Sequence, residues 1–490
     1  MTALPTGFKI ALDAGVRFRA GGRVAVGGSP WRVLRFGAAA VPFMSGLRAA
    51  GPRGAVPADE AGRRVSRILL DRGFAHPVVT GRSTGADAVD VVVPTFGSRE
   101  LSACLDALGG SRVTVVDDGS PDGDAVRAIV ESHGVTLRRH SRNRGPAAAR
   151  NTGLGLAQSE LVAFVDADCR PPPGWLEPLV AHFDDPRVGA VAPRILPARP
   201  GSGGSNSVLG RYEAARSALD MGPRPQLALP GGRLGFVPSA ALVARRHLVA
   251  EVGFDEDLRL GEDVDLVWRL TDQGWLVRYE PSVTVYHLPR LGLGEWLGRR
   301  YAYGTSAGAL AHRHPGRLAP ARLSSWSLAS IVLVAARRPL LAAGFTGLAA
   351  ALLHRRLAPY KLGLSMAMST VSKGLVSDGA MIGHAFRREW WPLGAVALAA
   401  GAFSRSTPAR LVTGLMMAPM VLDWVRQRPD VDPLVYVVLR LLDDAAYGTG
   451  VIAGSIRAAT IAPLLPEIRL PKAEGRQRNG DVRPGQCSLS

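Results

Sequence analysis

The spacing of apolar and polar positions changes character along the chain. In residues 7–79, Val16-Arg17-Phe18-Arg19 and Arg23-Val24-Ala25-Val26 alternate about Ala20-Gly21-Gly22, the pattern of a hairpin, and Gly27-Gly28-Ser29-Pro30 reads as a turn. Trp31–Met44 and Ala58–Asp71 then carry a helical period, the second stopped by Gly73. Together they predict a small α+β domain over 1–79. Residues 80–87 (TGRSTGAD) follow as a short linker.

From Val89 strands alternate with helices. Apolar runs at Val89–Val93, Arg112–Val116, Val135–Arg139 and Leu161–Val165 are separated by helical stretches at Leu101–Leu108, Asp122–Ser132 and Arg150–Gln158. This βαβα order predicts an α/β fold, a doubly wound and mostly parallel sheet, over 88–317. Gly201–Ser207 reads as a flexible loop, a lid or an acceptor-side insertion, and Gly235–Ala244 and Leu276–Tyr279 read as extended, with a helix at Arg246–Val252. From about residue 318 the chain becomes strongly apolar. Leu323–Ala336 and Pro339–Leu353 are split by Arg337-Arg338, and Trp391–Phe403 and Leu411–Val425 repeat the arrangement around Arg405 and Arg410. Segments this short fall below the roughly 20 residues of a spanning helix. They read either as interfacial or re-entrant membrane hairpins or as compact helical hairpins in water. That region runs to 471, and 472–490 reads as a disordered polar tail.

Composition narrows the partners. Lys plus Arg number 59 against 41 Asp plus Glu, a net charge of +18. The lysines are only Lys9, Lys361, Lys373 and Lys472, so the surplus is arginine. Such a charge favours an anionic partner, a sugar nucleotide or acidic lipid head groups. No zinc-finger spacing, basic-helix heptad or RNP-type aromatic signature is present, so nucleic acid is not expected. Cys104, Cys169 and Cys487 are too scattered for a disulfide framework or zinc site, and Lys9, Asp13, Arg17 and Arg19 interrupt any signal-peptide core. A cytoplasmic setting fits both.

The chemistry gathers at strand ends. Leu161–Val165 runs into Asp166-Ala167-Asp168 before Pro171-Pro172-Pro173, and two carboxylates at i and i+2 after a buried strand suit Mg²⁺ or Mn²⁺. Two solvated loop aspartates are the plainer alternative. Asp117 and Asp118 end another strand before Gly119-Ser120, where a carboxylate can accept from a nucleotide base or ribose, although Asp-Gly is also ordinary turn chemistry. Arg142-Asn143-Arg144-Gly145-Pro146 precedes a helix holding Arg150-Asn151; arginine forks near a helix start suit a diphosphate, or form a solvated basic loop. Gly261-Glu262-Asp263 opens a helix, where the dipole keeps acids ionised for general-base work but where capping alone also enriches them. His287, after the strand-like Val283–Tyr286, reads as a metal ligand, a phosphate contact or a structural histidine. Gly304-Thr305-Ser306-Ala307-Gly308 matches the nucleophile elbow by letter, but Trp296–Tyr303 before it is helical, so a serine hydrolase is rejected. No Gly-x-Gly-x-x-Gly after a first strand and no Walker loop occur.

The series VVVPTFG at 91–97, DDGS at 117–120, RNRGPAAARNTG at 142–153, FVDADC at 164–169, GEDVDLVWR at 261–269 and His287 strongly resembles family 2 glycosyltransferases of the GT-A fold. The resemblance implies that Pro94, Thr95, Asp117 and Asp118 hold the nucleotide, with Arg144 near the diphosphate. It implies that Asp168 coordinates Mn²⁺ or Mg²⁺, with Asp166 alongside at the ribose and metal and His287 completing the set. Asp263 is then the base and Glu262 the second candidate. WLGRRY at 296–301 only loosely approaches the element that processive members carry after the base, so Arg299 and Arg300 are candidate diphosphate contacts. The leading domain resembles small winged-helix-like peptide-recognition domains similar to PqqD. The whole arrangement resembles the glycosyltransferases of the mycofactocin system. That implies an inverting transfer of glucose from UDP-glucose to a peptide-derived redox cofactor, forming β-glucosides, at the cytoplasmic face of the cell membrane. A polyprenyl-phosphate acceptor and a non-catalytic membrane scaffold are the competing readings.

Overall fold

The computed structural model describes residues 4–79, 89–198, 206–288 and 292–470; the linker at 80–87, most of the Gly201–Ser207 loop and the tail lie outside them. The chain divides into two compact units, one of Met1–Phe18, Ala25–Leu34 and Ala38–Pro289 and one of Arg19–Val24, Arg35–Gly37 and Arg290–Ser490.

The N-terminal segment runs β1 (Ile10–Leu12), β2 (Arg17–Arg19), β3 (Val24–Gly27), β4 (Arg32–Arg35), α1 (Val41–Ala50), α2 (Glu60–Asp71) and β5 (Ala75–Pro77). Strands β2, β3 and β4 form one small sheet, and β1 pairs antiparallel with β5. Trp31–Met44 is thus not one helix. Its first residues form β4 and the helix starts only at Val41, because apolar spacing over so short a run suits either period and pairing with β3 decides it. Helix α2 starts as its sequence predicts, with Asp59 Oδ1 accepting from the N–H of Gly62 at 2.6 Å.

The large sheet follows. Its elements are β6 (Val89–Thr95), α3 (Leu101–Ala107), β7 (Arg112–Asp117), α4 (Gly123–Ser132), β8 (Thr136–Arg139), α5 (Pro146–Leu156), β9 (Leu161–Val165), β10 (Cys169–Arg170), α6 (Leu176–Val180), β11 (Val188–Pro197), α7 (Val208–Arg216), β12 (Gln226–Ala228), β13 (Ala241–Arg245), α8 (Arg246–Val252), α9 (Glu262–Asp272) and β14 (Leu276–His287). The order is β10-β14-β11-β13-β9-β6-β7-β8, with β12 beside β14. Strands β8, β7, β6 and β9 run parallel, β13 reverses, and β11 and β14 are parallel to each other. Val91, Val93, Val115, Ala163, Val165 and Val243 are fully buried in its core, as expected for strands covered on both faces. The run Leu276–Tyr279 does not stop at Pro281. A register shift opposite Pro193 and Arg194 absorbs Pro281-Ser282-Val283, and the strand continues to His287.

The N-terminal segment is welded to this sheet unit. Buried Arg67 forks onto Asp185, both bonds 2.8 Å, and Arg187 reaches back to Asp71 at 2.5 Å. Beside them Arg278 is fully buried, and burial pulls its pKa down to about 10.

The second unit consists of α10 (Leu293–Arg313), β15 (Arg322–Ser324), α11 (Ser325–Ala335), α12 (Pro339–Leu357), α13 (Leu364–Arg387), α14 (Trp391–Phe403), α15 (Thr407–Gln427), α16 (Pro433–Arg457) and β16 (Glu467–Arg469). Helices α10 and α16 approach backbone to backbone. A Cβ at Gly304 would overlap the carbonyl oxygen of Tyr447, and one at Gly308 that of Gly454. Reciprocally, Gly450 meets Tyr301 and Gly454 meets Thr305. The letters that suggested a hydrolase elbow are therefore half of a paired Gly-x-x-x-Gly contact. Ion pairs Arg300–Asp443 at 2.8 Å and Arg387–Asp444 at 3.0 Å are buried in the same unit. Large apolar side chains point outward, Leu340 being 87% and Phe403 93% exposed. Among the described residues no helix is long and apolar enough to cross a membrane.

Candidate active site

The site forms where β6, β7 and β9 end and α9 begins. At the end of β6, Thr95 Oγ1 donates to the carbonyl of Gly97 at 2.7 Å, Pro94 is half-buried, and Phe96 stands exposed beside them. Asp117 closes β7 in full burial. One of its oxygens accepts from the Ser120 N–H at 2.8 Å and from the Ser120 hydroxyl; the other faces Arg139 at 3.2 Å. Asp118 is spent differently. It accepts from the N–H groups of Arg144 and Gly145, at 2.9 and 2.7 Å, and pairs with His140 at 2.7 Å. Its carboxylate builds the 142–145 loop. Gly145 has φ 100° and hands the chain to Pro146 at the start of α5. Arg144, expected at the diphosphate, instead meets Glu256 at 2.8 Å on the exposed surface.

Asp166 and Asp168 have different protein partners. They lie beyond the last strand residue, in a turn closed by Cys169 N–H to the carbonyl of Asp166 at 2.9 Å, so the alternation of a strand no longer governs them. Asp166 meets Arg150 at 2.7 Å and keeps its side chain 32% exposed. Asp168 Oδ2 lies 3.2 Å from His287 Nε2, because β10 pairs antiparallel with β14 and sets Cys169 opposite His287. Among the described residues no three His, Cys, Asp or Glu side chains gather as a ready metal cage. A carboxylate and an imidazole side by side are donors that would suit a divalent cation.

The acids of α9 complete the site. Gly261, at φ 84°, precedes them. Glu262 is buried and accepts from Arg150 at 2.7 Å, while Asp263 is partly exposed and accepts from the N–H of Ser239 at 3.2 Å and of Val264 at 2.8 Å. Burial, reinforced by the Asp263 charge, pushes Glu262 up to about 7; burial likewise raises Asp263. Ser239-Ala240 touches both halves of the site, since the Asp166 N–H donates to the carbonyl of Ala240 at 2.9 Å.

Arg300 is buried on Asp443 within the helical unit, and Arg299 lies over the ring of Tyr303 at 5.7 Å. Arg150, on the helix that follows the basic loop, is buried. Its flanking Ala147-Ala148-Ala149, all buried, carry the missed signal, for an arginine on such a face must find carboxylates.

The family model described as Glycosyl transferase family 2 matches residues 90–249. The pre-mycofactocin glycosyltransferase of Mycobacterium tuberculosis is 38% identical over 486 residues, covering 96% of this chain and 99% of that one. Glycosyltransferase AglE of Haloferax volcanii is 27% identical over 228 residues, 44% of this chain and 71% of that one. Among solved structures, the mannosyltransferase PcManGT from Pyrobaculum calidifontis, in complex with GDP-Man and Mn²⁺, is 23% identical with a TM-score of 0.43, covering 81% of this chain and 92% of that one.

Proposed function

The chain belongs to glycosyl transferase family 2 and is a glycosyltransferase, and from that premise we propose that it moves glucose from UDP-glucose onto a peptide-derived redox cofactor in mycofactocin biosynthesis. The observation that carries the reading is the meeting of strand-end acids with helix-start acids, Asp166 with Glu262 and Asp263 about Arg150, in a chain matched over nearly its whole length by a pre-mycofactocin glycosyltransferase.

Asp263 is the base, since it is the less buried of the first two α9 acids. It takes the acceptor hydroxyl's proton as that oxygen bonds to the anomeric carbon and the carbon–oxygen bond to the diphosphate breaks. Attack opposite the leaving group inverts the centre, so an α-linked donor gives a β-glucoside. Asp117, with Pro94 and Thr95 beside it, lies on the nucleotide side. Asp168 and His287 would hold the divalent cation, which neutralises charge on the departing diphosphate. Incubation with UDP-glucose, Mn²⁺ and candidate acceptors, followed by mass spectrometry, tests this. A hexose on a peptide-derived acceptor is expected. A hexose on polyprenyl phosphate would replace the acceptor, and no transfer from any sugar nucleotide would leave a scaffold.

The same reading puts the helical unit on the cytoplasmic face of the cell membrane, resting on it or inserted by its short helices. Outward Leu340, Val396, Phe403 and Leu434, with exposed Arg337, Arg338, Arg405 and Arg410 nearby in sequence, support an apolar, acidic surface as partner. Release of the protein by high salt alone would argue for contact without insertion, and recovery in the soluble fraction without any wash would remove the membrane.

A further inference from the structure

We propose that Arg150 is a positioning residue that sets the distance between the donor side and the base side of the site; this rests on the glycosyltransferase reading above. Its two terminal nitrogens are divided between two chain segments. One donates to Asp166 Oδ1 and the other to Glu262 Oε1, both at 2.7 Å. A guanidinium is a rigid planar fork, so the separation of its nitrogens becomes the separation of the two carboxylates.

The fork is itself fixed. Arg150 is 3% exposed, and its guanidinium carbon lies 5.5 Å from the centre of the Phe254 ring, which meets Phe164 edge-on at 5.1 Å. The next residue secures that ring from its backbone. Asn151 Oδ1 accepts from the Phe254 N–H at 2.9 Å and its Nδ2 donates to the Phe254 carbonyl at 2.8 Å. One turn of α5 thus orders the loop before α9 and, through it, the packing on the guanidinium. With both terminal nitrogens engaged, Arg150 is not an open fork awaiting a diphosphate. Its charge also stands among three carboxylates, Asp166, Glu262 and Asp263, and all three raise its own pKa. Lysine cannot substitute fully, because one ammonium is a point charge that cannot span both acids in a fixed plane.

The test uses the full chain with Arg150→Lys and Arg150→Gln. Steady-state kinetics with UDP-glucose and calorimetric binding of UDP with Mn²⁺ are measured beside thermal unfolding. Displacement of the base by an ångström or so predicts a kcat loss of about 10²-fold for the glutamine variant. The lysine variant should lose less, and both should keep the donor KM and the UDP affinity within about threefold. The losses of Arg150→Gln and Glu262→Gln should also fail to add when combined. A raised KM and weakened UDP binding at unchanged kcat would make Arg150 a donor-binding group and overturn the proposal. Parallel loss of UDP binding and unfolding temperature in both variants would reduce it to a fold residue. Should the unaltered chain transfer no sugar, the glycosyltransferase reading itself fails. Transfer by the unaltered chain, with kcat unchanged in Arg150→Gln, would leave that reading standing and overturn the positioning claim alone.

Discussion

The sheet unit buries its large apolar side chains, whereas the helical unit divides them between interior and surface. In the sheet unit Val91, Val115, Phe164 and Val243 fill the interior. In the helical unit Met416, Met420, Tyr436 and Val451 are buried beside Gly304, Gly450 and the ion pairs Arg300–Asp443 and Arg387–Asp444, while Leu340, Val396 and Phe403 face outward. Burying large apolar side chains drives folding in water, at about 25 cal/mol per Å². Where the surroundings are themselves apolar that drive vanishes, and close backbone contact and satisfied polar groups must hold helices together instead. The contrast teaches that burial has to be read against a medium before it is read as stability.

The comparison can be broken at several points. The largest effect belongs to the sheet unit's chemistry: Asp263→Asn should lower turnover about 10²–10⁴-fold with the fold intact by circular dichroism, and unchanged turnover of UDP-glucose would remove Asp263 from the base position. Next comes the packing of the helical unit. Gly304→Val must push α10 away from the Tyr447 carbonyl, an overpacking cost of about 1–3 kcal/mol or more in thermal unfolding; an unshifted transition would mean the helices do not depend on that contact.

The pH dependence separates rate from stability. Because Glu262 is lifted to about 7, the folded chain holds its proton where the unfolded chain has lost it. This group's contribution to stability is therefore complete below its ordinary value of about 4.3 and disappears as pH rises through 7. Rate moves the other way, since the base must be ionised, and kcat/KM should climb with pH through a midpoint above the ordinary aspartate value, because burial raises Asp263. Glu262→Gln removes a neighbouring negative charge and should bring that limb to lower pH; a limb that stays in place would separate the two acids. The smallest effect is predicted for Phe403→Glu and Leu340→Glu. These exposed changes should alter unfolding by no more than about 0.5 kcal/mol while moving the protein from the membrane to the soluble fraction. Unchanged fractionation would mean that those faces meet no lipid.

Much of the sheet unit was legible because its strands are uninterrupted Val-rich runs and its acids stand at their ends. For Arg150 the flanking Ala147-Ala148-Ala149 run was the only local sign, since pairing across distant segments leaves little local pattern. The separate partners of Asp166 and Asp168 were hidden, because periodicity says nothing once a strand has turned. In the helical unit the apolar hairpins could be read, but α13 and α16 could not. Their buried faces include Asp378, Gly379, Gly383, Asp443, Asp444 and Gly454 among the apolar residues, and these resemble loop and surface composition. Trp31–Met44 failed for a different reason: a four-residue strand is too short for its period to outweigh a helical one.

The fork of Arg67 onto Asp185 bears on how modular this polypeptide is. A leading domain of this kind invites exchange between relatives as a detachable specificity cassette. Here the seam is ionic and partly buried, so a graft replacing residues 1–79 must bring its own guanidinium to Asp185 and its own carboxylate to Arg187. Without them it leaves uncompensated charges beside Arg278. Recombination is thereby confined to donors sharing those pairs, which makes the two segments a single inherited piece.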